Sequence, residues 1–149
     1  MHRGLSTALI IPVLDEEQTI GSVLDGVDRA LIDLLIVVDN GSTDRSADLA
    51  IAHGARLFKE PRRGYGSACL RGLAECHGSD LILFMDGDGS DDPEEIPRLL
   101  DAFLKQGADL VIGSRVLGEC ERGALTPTQR FGNALTCALL RLFWGQRAG

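Results

Sequence analysis

The heptapeptide Asp86-Gly87-Asp88-Gly89-Ser90-Asp91-Asp92 packs four aspartates into seven residues, directly after the apolar run Leu81-Ile82-Leu83-Phe84-Met85. Carboxylates at that density repel one another unless solvent or a cation compensates them. Either the cluster is a solvated loop or it holds a metal. Asp-x-Asp suits a divalent cation that also takes oxygens from a phosphate: Mg²⁺ is usually bound by one or two carboxylates plus substrate phosphates, and Mn²⁺ accepts the same ligands. Asp86 and Asp88 supply that pair, and Gly87 and Gly89 let the backbone turn tightly. In this reading the metal neutralises charge on a departing diphosphate.

Two other templates compete. A calcium EF-hand loop is matched at its first, third and fifth positions by Asp86, Asp88 and Ser90, but it requires Gly at the sixth and Glu at the twelfth, where this chain has Asp91 and Pro97. It also requires a preceding helix, so it fails. An aspartate-nucleophile phosphatase carries a similar Asp-x-Asp-Gly after an apolar strand, with Asp86 as the nucleophile. That motif normally opens its fold and needs a downstream lysine, for which only Lys105 is present. It stands as an alternative.

The elements that must position these carboxylates are read from the apolar pattern. Runs at Leu9 to Leu14, Leu34 to Val38, Leu81 to Met85 and Leu110 to Ile112 are rich in Ile, Val and Leu and suit parallel strands covered on both faces. A short extra strand is expected around Arg56 to Lys59. Between the strands, apolar residues at helical spacing (Ile20, Val23, Leu24, Val27 and Leu31; Ala47 to Ala52; Ala68 to Ala74; Ile96 to Phe103) make the chain an α/β domain with a mostly parallel sheet. Ser42 or Thr43 is expected to cap the helix that Gly54 ends, and Asp92 the helix that Gly107 ends, with Pro97 disturbing its first turn. A loop over Val116 to Gln129 and a last helix from Thr128 to Trp144 complete the expected elements. Ligands gather at the carboxyl ends of strands in such sheets. Three polar clusters fall there together: Pro-Val-Leu-Asp-Glu-Glu after the first strand, Val-Val-Asp-Asn-Gly-Ser-Thr-Asp after the second and the acidic cluster after the fourth.

Composition narrows the partners. The chain has 149 residues, 44% of them hydrophobic, and a formal charge of −7, which argues against general nucleic-acid binding. Its 15 basic residues include only two lysines, Lys59 and Lys105; the arginine excess suits bidentate phosphate contact. Cys69, Cys76, Cys120 and Cys137 form no Cys-x-x-Cys pair and read as reduced thiols. The N-terminal apolar stretch is too short for a secretory leader, so a cytoplasmic location is expected.

In order and spacing, the blocks "IIPVLDEEQTI", "IVVDNGSTDRS", "RRGYGSA", "LILFMDGDGSDDPEEIPRLL" and "DLVIGSR" resemble glycosyltransferase family 2, whose catalytic domain is the GT-A fold. The nearest branch is similar to the polyprenyl-phosphate mannosyl and glucosyl transferases. The resemblance implies a metal-dependent inverting transfer of a hexose from a nucleotide-diphosphate sugar, UDP- or GDP-linked, with a polyprenyl phosphate as the expected acceptor. A fragment that binds nucleotide sugar without turnover is the alternative. Carried across, Pro12, Leu14 and Glu16 line the nucleoside pocket with Glu16 toward the ribose, Asp39 meets the base, and Asn40, Gly64 and Tyr65 border the donor. Asp86 lies at the nucleoside or metal edge, and Asp88 on the Mg²⁺ or Mn²⁺. Arg115 and Arg130 hold the acceptor phosphate. A phosphate acceptor is already anionic and needs no general base, whereas a hydroxyl acceptor does, and Asp91 or Asp92 could serve.

Departures from the pattern are Asp15 where Asn is usual, Asn40 where a second Asp is usual, Tyr65 where many members carry Lys, and Ser90 where some use Gln. The nearby Lys59, Arg62 and Arg63 could take over the phosphate contact. Family members also continue past the point where this chain stops, so a truncated single domain is expected, 1–149. Its last helix, with Leu135, Leu139, Leu142 and Phe143 on one face, either packs against the missing part or makes peripheral membrane contact.

Overall fold

The computed structural model describes residues 4–113. The chain divides into two compact units, Met1–Val111 and Ile112–Gly149, and the elements below belong to the first. Strands β1 (Thr7–Val13), β2 (Leu34–Asp39), β3 (Arg56–Lys59) and β4 (Leu81–Phe84) pair in parallel in the order β3-β2-β1-β4. Helices α1 (Ile20–Gly26), α2 (Ser46–Ala52), α3 (Tyr65–Glu75) and α4 (Ile96–Gln106) alternate with them.

The alternation of side chains along each strand builds two cores. Leu9, Ile11, Val13, Leu35 and Val37 pack with Ile20, Leu24, Ala50, Ile96 and Leu100 on the layer of α1, α2 and α4. Ala8, Ile10, Ile36 and Val38 face α3 through Ala68 and Cys76. Every residue of β1 is buried. Removing one Ile or Leu side chain from water contributes about 1.5–3 kcal/mol, so β1 is the least movable element and what its end carries is fixed with it. Strand order reverses across β1: the chain steps from β1 to β2 and β3, then returns to lay β4 on β1's other side. Such a switch point opens a crevice outside the carboxyl ends of the two diverging strands, here β1 and β4.

The α/β reading from the apolar runs and the extra strand at Arg56 to Lys59 agree with the structure, and four expectations need correction. Leu110 and Ile112 are exposed and lie in no strand. Neither Ser42 nor Thr43 caps α2, which begins at Ser46, because both side chains are drawn to the loop after β1. Helix α1 stops at Gly26; Val27 turns extended, and Asp28 begins a turn that Leu31 and Ala30 close by donating to its carbonyl and carboxylate. Strand β4 is not covered on both faces, since Ile82 and Phe84 are exposed. The reading of Asp92 holds: its carboxylate accepts from Glu94 N at 2.9 Å, a 3-10 turn spans Pro93–Glu95 ahead of α4, and Gly107 ends α4 in the left-handed region. The expected loop at Val116 to Gln129 and the helix from Thr128 to Trp144 lie outside the described residues.

Candidate functional site

All three polar clusters meet at the carboxyl edge of the sheet, and side chains tie them to one another. Thr19, at the start of α1, gives no capping bond to its own helix; its Oγ1 donates to the Gly87 carbonyl at 2.9 Å, joining the loop after β1 to the loop after β4. Asp15 is the one non-glycine residue of positive φ among the described residues (58°). Its Oδ1 accepts from Thr43 N at 2.6 Å while its own N–H donates to Ser42 Oγ at 3.0 Å, joining the loops after β1 and β2. Ser46 Oγ accepts from Glu16 N and Asp44 Oδ2 from Glu17 N. Ser46 Oγ in turn donates to Asp44, and that bond holds the Asp44 carboxyl below the usual range.

The acidic cluster divides by task. Asp91 Oδ2 accepts from Asp86 N at 3.0 Å, Asp92 caps the turn into α4, and Asp88 Oδ1 accepts from Ser90 N at 2.8 Å. Asp86 Oδ1 accepts from the Tyr65 hydroxyl at 2.9 Å. Local desolvation of the hydroxyl, and next the bond to Asp86, raise the Tyr65 phenol above its ordinary value although the side chain as a whole is exposed, so it stays a neutral donor. Burial likewise raises the neighbouring Cys69 thiol. Gly87 separates the two carboxylates where the loop presses on β1: a Cβ there would stand 3.0 Å from Val13 Cγ2 and 3.4 Å from the Pro12 carbonyl. The glycine thus relieves crowding against the strand, in addition to the tight turn expected of it.

Among the described residues no group of three or more His, Cys, Asp or Glu side chains could hold a metal by itself. Asp86 and Asp88 are two carboxylates at the switch point, the number with which Mg²⁺ is usually bound when phosphate and water supply the rest of its shell.

The other expected residues take these places. Pro12 lies in β1, and Leu14 and Glu16 follow it in the loop beside the crevice, Leu14 exposed. Asp39 closes β2, nearly buried, and its Oδ1 accepts from Ser42 N at 2.8 Å. Asn40 is buried and its carboxamide is engaged by the protein: Nδ2 donates to the carbonyls of Glu60 and Arg62, and Oδ1 accepts from Gly64 N. Gly64 precedes α3 and Tyr65 opens it. Arg115 and Arg130 lie outside the described residues. The reading of spacing missed Thr19, Ser46 and Asp15 as the residues that bind the loops together; only the choice of Asp15 where Asn is usual pointed to one of them.

The family model described as Glycosyl transferase family 2 matches residues 8–147 of this chain. The low-salt glycan biosynthesis hexosyltransferase Agl6 of Haloferax volcanii is 35% identical over 143 residues, 93% of this chain and 34% of the relative. A dolichol-phosphate mannosyltransferase of Pyrococcus furiosus is 33% identical over 119 residues, 74% of this chain and 33% of the relative. Among solved structures, glucosyl-3-phosphoglycerate synthase from Mycobacterium tuberculosis, in complex with Mn²⁺, UDP and glucosyl-3-phosphoglycerate, superposes with a TM-score of 0.61 at 34% identity, over 68% of this chain and 40% of that one. The chain thus spans about a third of the length of the curated relatives it matches here.

Proposed function

We propose, since the chain belongs to glycosyl transferase family 2, that it forms the donor half of a metal-dependent hexosyltransferase of GT-A fold. The observation that carries this reading is the placing of Asp86 and Asp88 at the β1/β4 switch point, in a loop joined to the start of α1 by Thr19 and to the start of α3 by Tyr65. Asp86 and Asp88 hold Mg²⁺ or Mn²⁺, which when bound supplies Lewis-acid compensation for the diphosphate's charge. Pro12, Leu14 and Glu16 form the nucleoside wall, and Asp39 presents its second carboxylate oxygen to the base. A buried acceptor fixed by Ser42 N is already oriented before the nucleotide arrives, so little reorganisation is needed on binding. The complex of the mycobacterial synthase with UDP and Mn²⁺ supports a uridine nucleotide as the first donor to try.

For the acceptor we favour a polyprenyl phosphate, held by Arg115 and Arg130 at a cytoplasmic membrane face. An anionic nucleophile needs no base, which fits a site where Asp91 and Asp92 are occupied with backbone N–H groups. A second reading is favoured by the likeness to glucosyl-3-phosphoglycerate synthase: a small phosphorylated acid that attacks through a hydroxyl. The test is calorimetric titration of UDP and GDP with and without Mn²⁺ on wild type and Asp88→Ala, then hexose transfer assays with polyprenyl phosphate and 3-phosphoglycerate. Mn²⁺-dependent UDP binding lost in Asp88→Ala is the expected result. A folded wild type that binds neither nucleotide under either condition refutes the donor site, and transfer to 3-phosphoglycerate alone refutes the lipid acceptor.

A further inference from the structure

We propose that Asn40 and Tyr65 form a positioning relay that sets the orientation of Asp86, and the proposal rests on the donor-site reading above. Asn40 sits at the end of β2 with its side chain buried. Its Nδ2 donates to Glu60 O at 2.8 Å and Arg62 O at 2.9 Å, while its Oδ1 accepts from Gly64 N at 2.7 Å. Glu60 N adds a donation to Asp39 O at 2.9 Å. One carboxamide thereby clamps the backbone of residues 60–64 from both sides to the end of β2. An aspartate could not do this, because a carboxylate has no donor for the two carbonyls and would oppose them with its charge.

The clamped segment leads directly into α3, whose first residue is Tyr65. The phenol reaches across the edge and donates to Asp86 Oδ1 at 2.9 Å. Strands β2 and β4 are not neighbours; β1 lies between them. The relay bridges the switch point over the end of β1, and it fixes one oxygen of Asp86 before any ligand arrives while leaving the other for a cation. Asp91 fixes the same residue from behind by accepting from its N–H. An outer partner of this kind orients a metal ligand, and its loss typically costs about 10–100-fold in metal affinity. Neither Asn40 nor Tyr65 needs to touch the donor for this effect.

The test uses the full chain and measures Mn²⁺ affinity at saturating UDP, UDP affinity without metal, and thermal melting, for wild type, Tyr65→Phe, Asn40→Asp and the double variant. Tyr65→Phe is expected to weaken Mn²⁺ about 10-fold with melting unchanged and with a smaller loss in metal-free UDP binding than in Mn²⁺ binding, a pattern a purely structural role would not give. Asn40→Asp is expected to weaken Mn²⁺ as well and to melt lower. The double variant is expected to bind Mn²⁺ no more weakly than the weaker single, because both changes cut one chain of contacts. Wild-type Mn²⁺ affinity in Tyr65→Phe, or fully additive losses in the double variant, overturns the relay. If Asn40→Asp does not fold, Tyr65→Phe alone decides. A wild type that takes up no Mn²⁺ with UDP removes the donor-site reading and the relay together, whereas an intact wild type beside an unaffected Tyr65→Phe removes only the relay.

Discussion

Replacing Gly87 by alanine adds one methyl where the loop between the two carboxylates lies on β1. The new Cβ would stand 3.0 Å from Val13 Cγ2, 3.4 Å from Ile11 Cγ2 and 3.4 Å from the Pro12 carbonyl oxygen. Carbon atoms pack best at about 3.5–4.0 Å, so the loop must retreat by about 0.5 Å; Val13 and Ile11 are buried in the central strand and cannot yield. Gly87 is not in the left-handed region, so alanine brings no backbone strain, and the lost freedom of the unfolded chain returns about 0.4–1 kcal/mol. Against a crowding cost of about 1–3 kcal/mol, stability falls by only about 1 kcal/mol. The site suffers more, because Asp86 and Asp88 flank the displaced residue: Mn²⁺ affinity in the presence of UDP should drop about 10–100-fold. Gly72→Ala is the counterpart. Its Cβ would stand 2.4 Å from Ile10 Cγ2, an overlap above about 1 Å that forces α3 off the sheet. Even after a helix-propensity gain of about 1 kcal/mol, it should destabilise more than Gly87→Ala while disturbing the carboxylates less, because α3 reaches them only through Tyr65. Urea unfolding and Mn²⁺ titration of both variants should therefore give opposite rankings. Wild-type Mn²⁺ binding in Gly87→Ala, or wild-type stability in Gly72→Ala, would refute the reasoning.

Asp80 accepts from the Ser6 N–H and hydroxyl, both at 2.8 Å, and the backbone bond foremost holds its carboxyl below the ordinary range. A depressed folded value means stability that is present above the unfolded value near 3.8 and lost as pH falls through the folded one. The stability gap between wild type and Asp80→Asn should thus be constant above about pH 5 and close below about pH 4 in acid unfolding followed by circular dichroism. Asp15→Val should cost about 2–3 kcal/mol in urea unfolding, combining about 1–2 kcal/mol for a β-branched residue at φ 58° with the lost acceptor for Thr43 N. Asp15→Asn, which tolerates that conformation and keeps the Oδ1 acceptor, should stay within about 0.5 kcal/mol of wild type.

Most of the scaffold was legible because burial and period coincide in it. The runs at β1 and β2 are apolar on both faces because helices cover both, and each run overlaps most of its strand, with ends that differ by no more than two residues. Leu110 to Ile112 offered the same composition without that outcome; three apolar residues do not specify pairing, which depends on a neighbour strand that local sequence does not name. Helix α1 shows the complementary limit. Its apolar spacing continues to Val27 and Leu31, but Asp28 competes for the backbone with its own carboxylate, and the Asp28 turn prevails. Ser42 and Thr43 were good capping types that found better use across the edge. A short polar side chain binds whichever N–H or carboxylate the tertiary structure places nearest.

The same ambiguity governs the acidic cluster, where spacing could not assign tasks. Capping a helix, holding a turn and binding a cation all call for a short carboxylate. Only the fold separates them: Asp92 lies where α4's first turn has unsatisfied N–H groups, Asp91 lies behind the Asp86 backbone, and Asp86 with Asp88 lies at the switch point. This division also resolves the repulsion that the sequence posed. Backbone N–H groups donate to Asp91 and Asp92 and a phenol donates to Asp86, so these carboxylates already have partners within the protein. A cation at the crevice then needs to compensate only one pair, which is what an ion sharing its shell with a diphosphate can do. On the proposed donor-site reading, the density of aspartates follows from having two structural carboxylates next to two metal-binding ones, and the glycine between that pair lets the loop lie against the wholly buried strand β1.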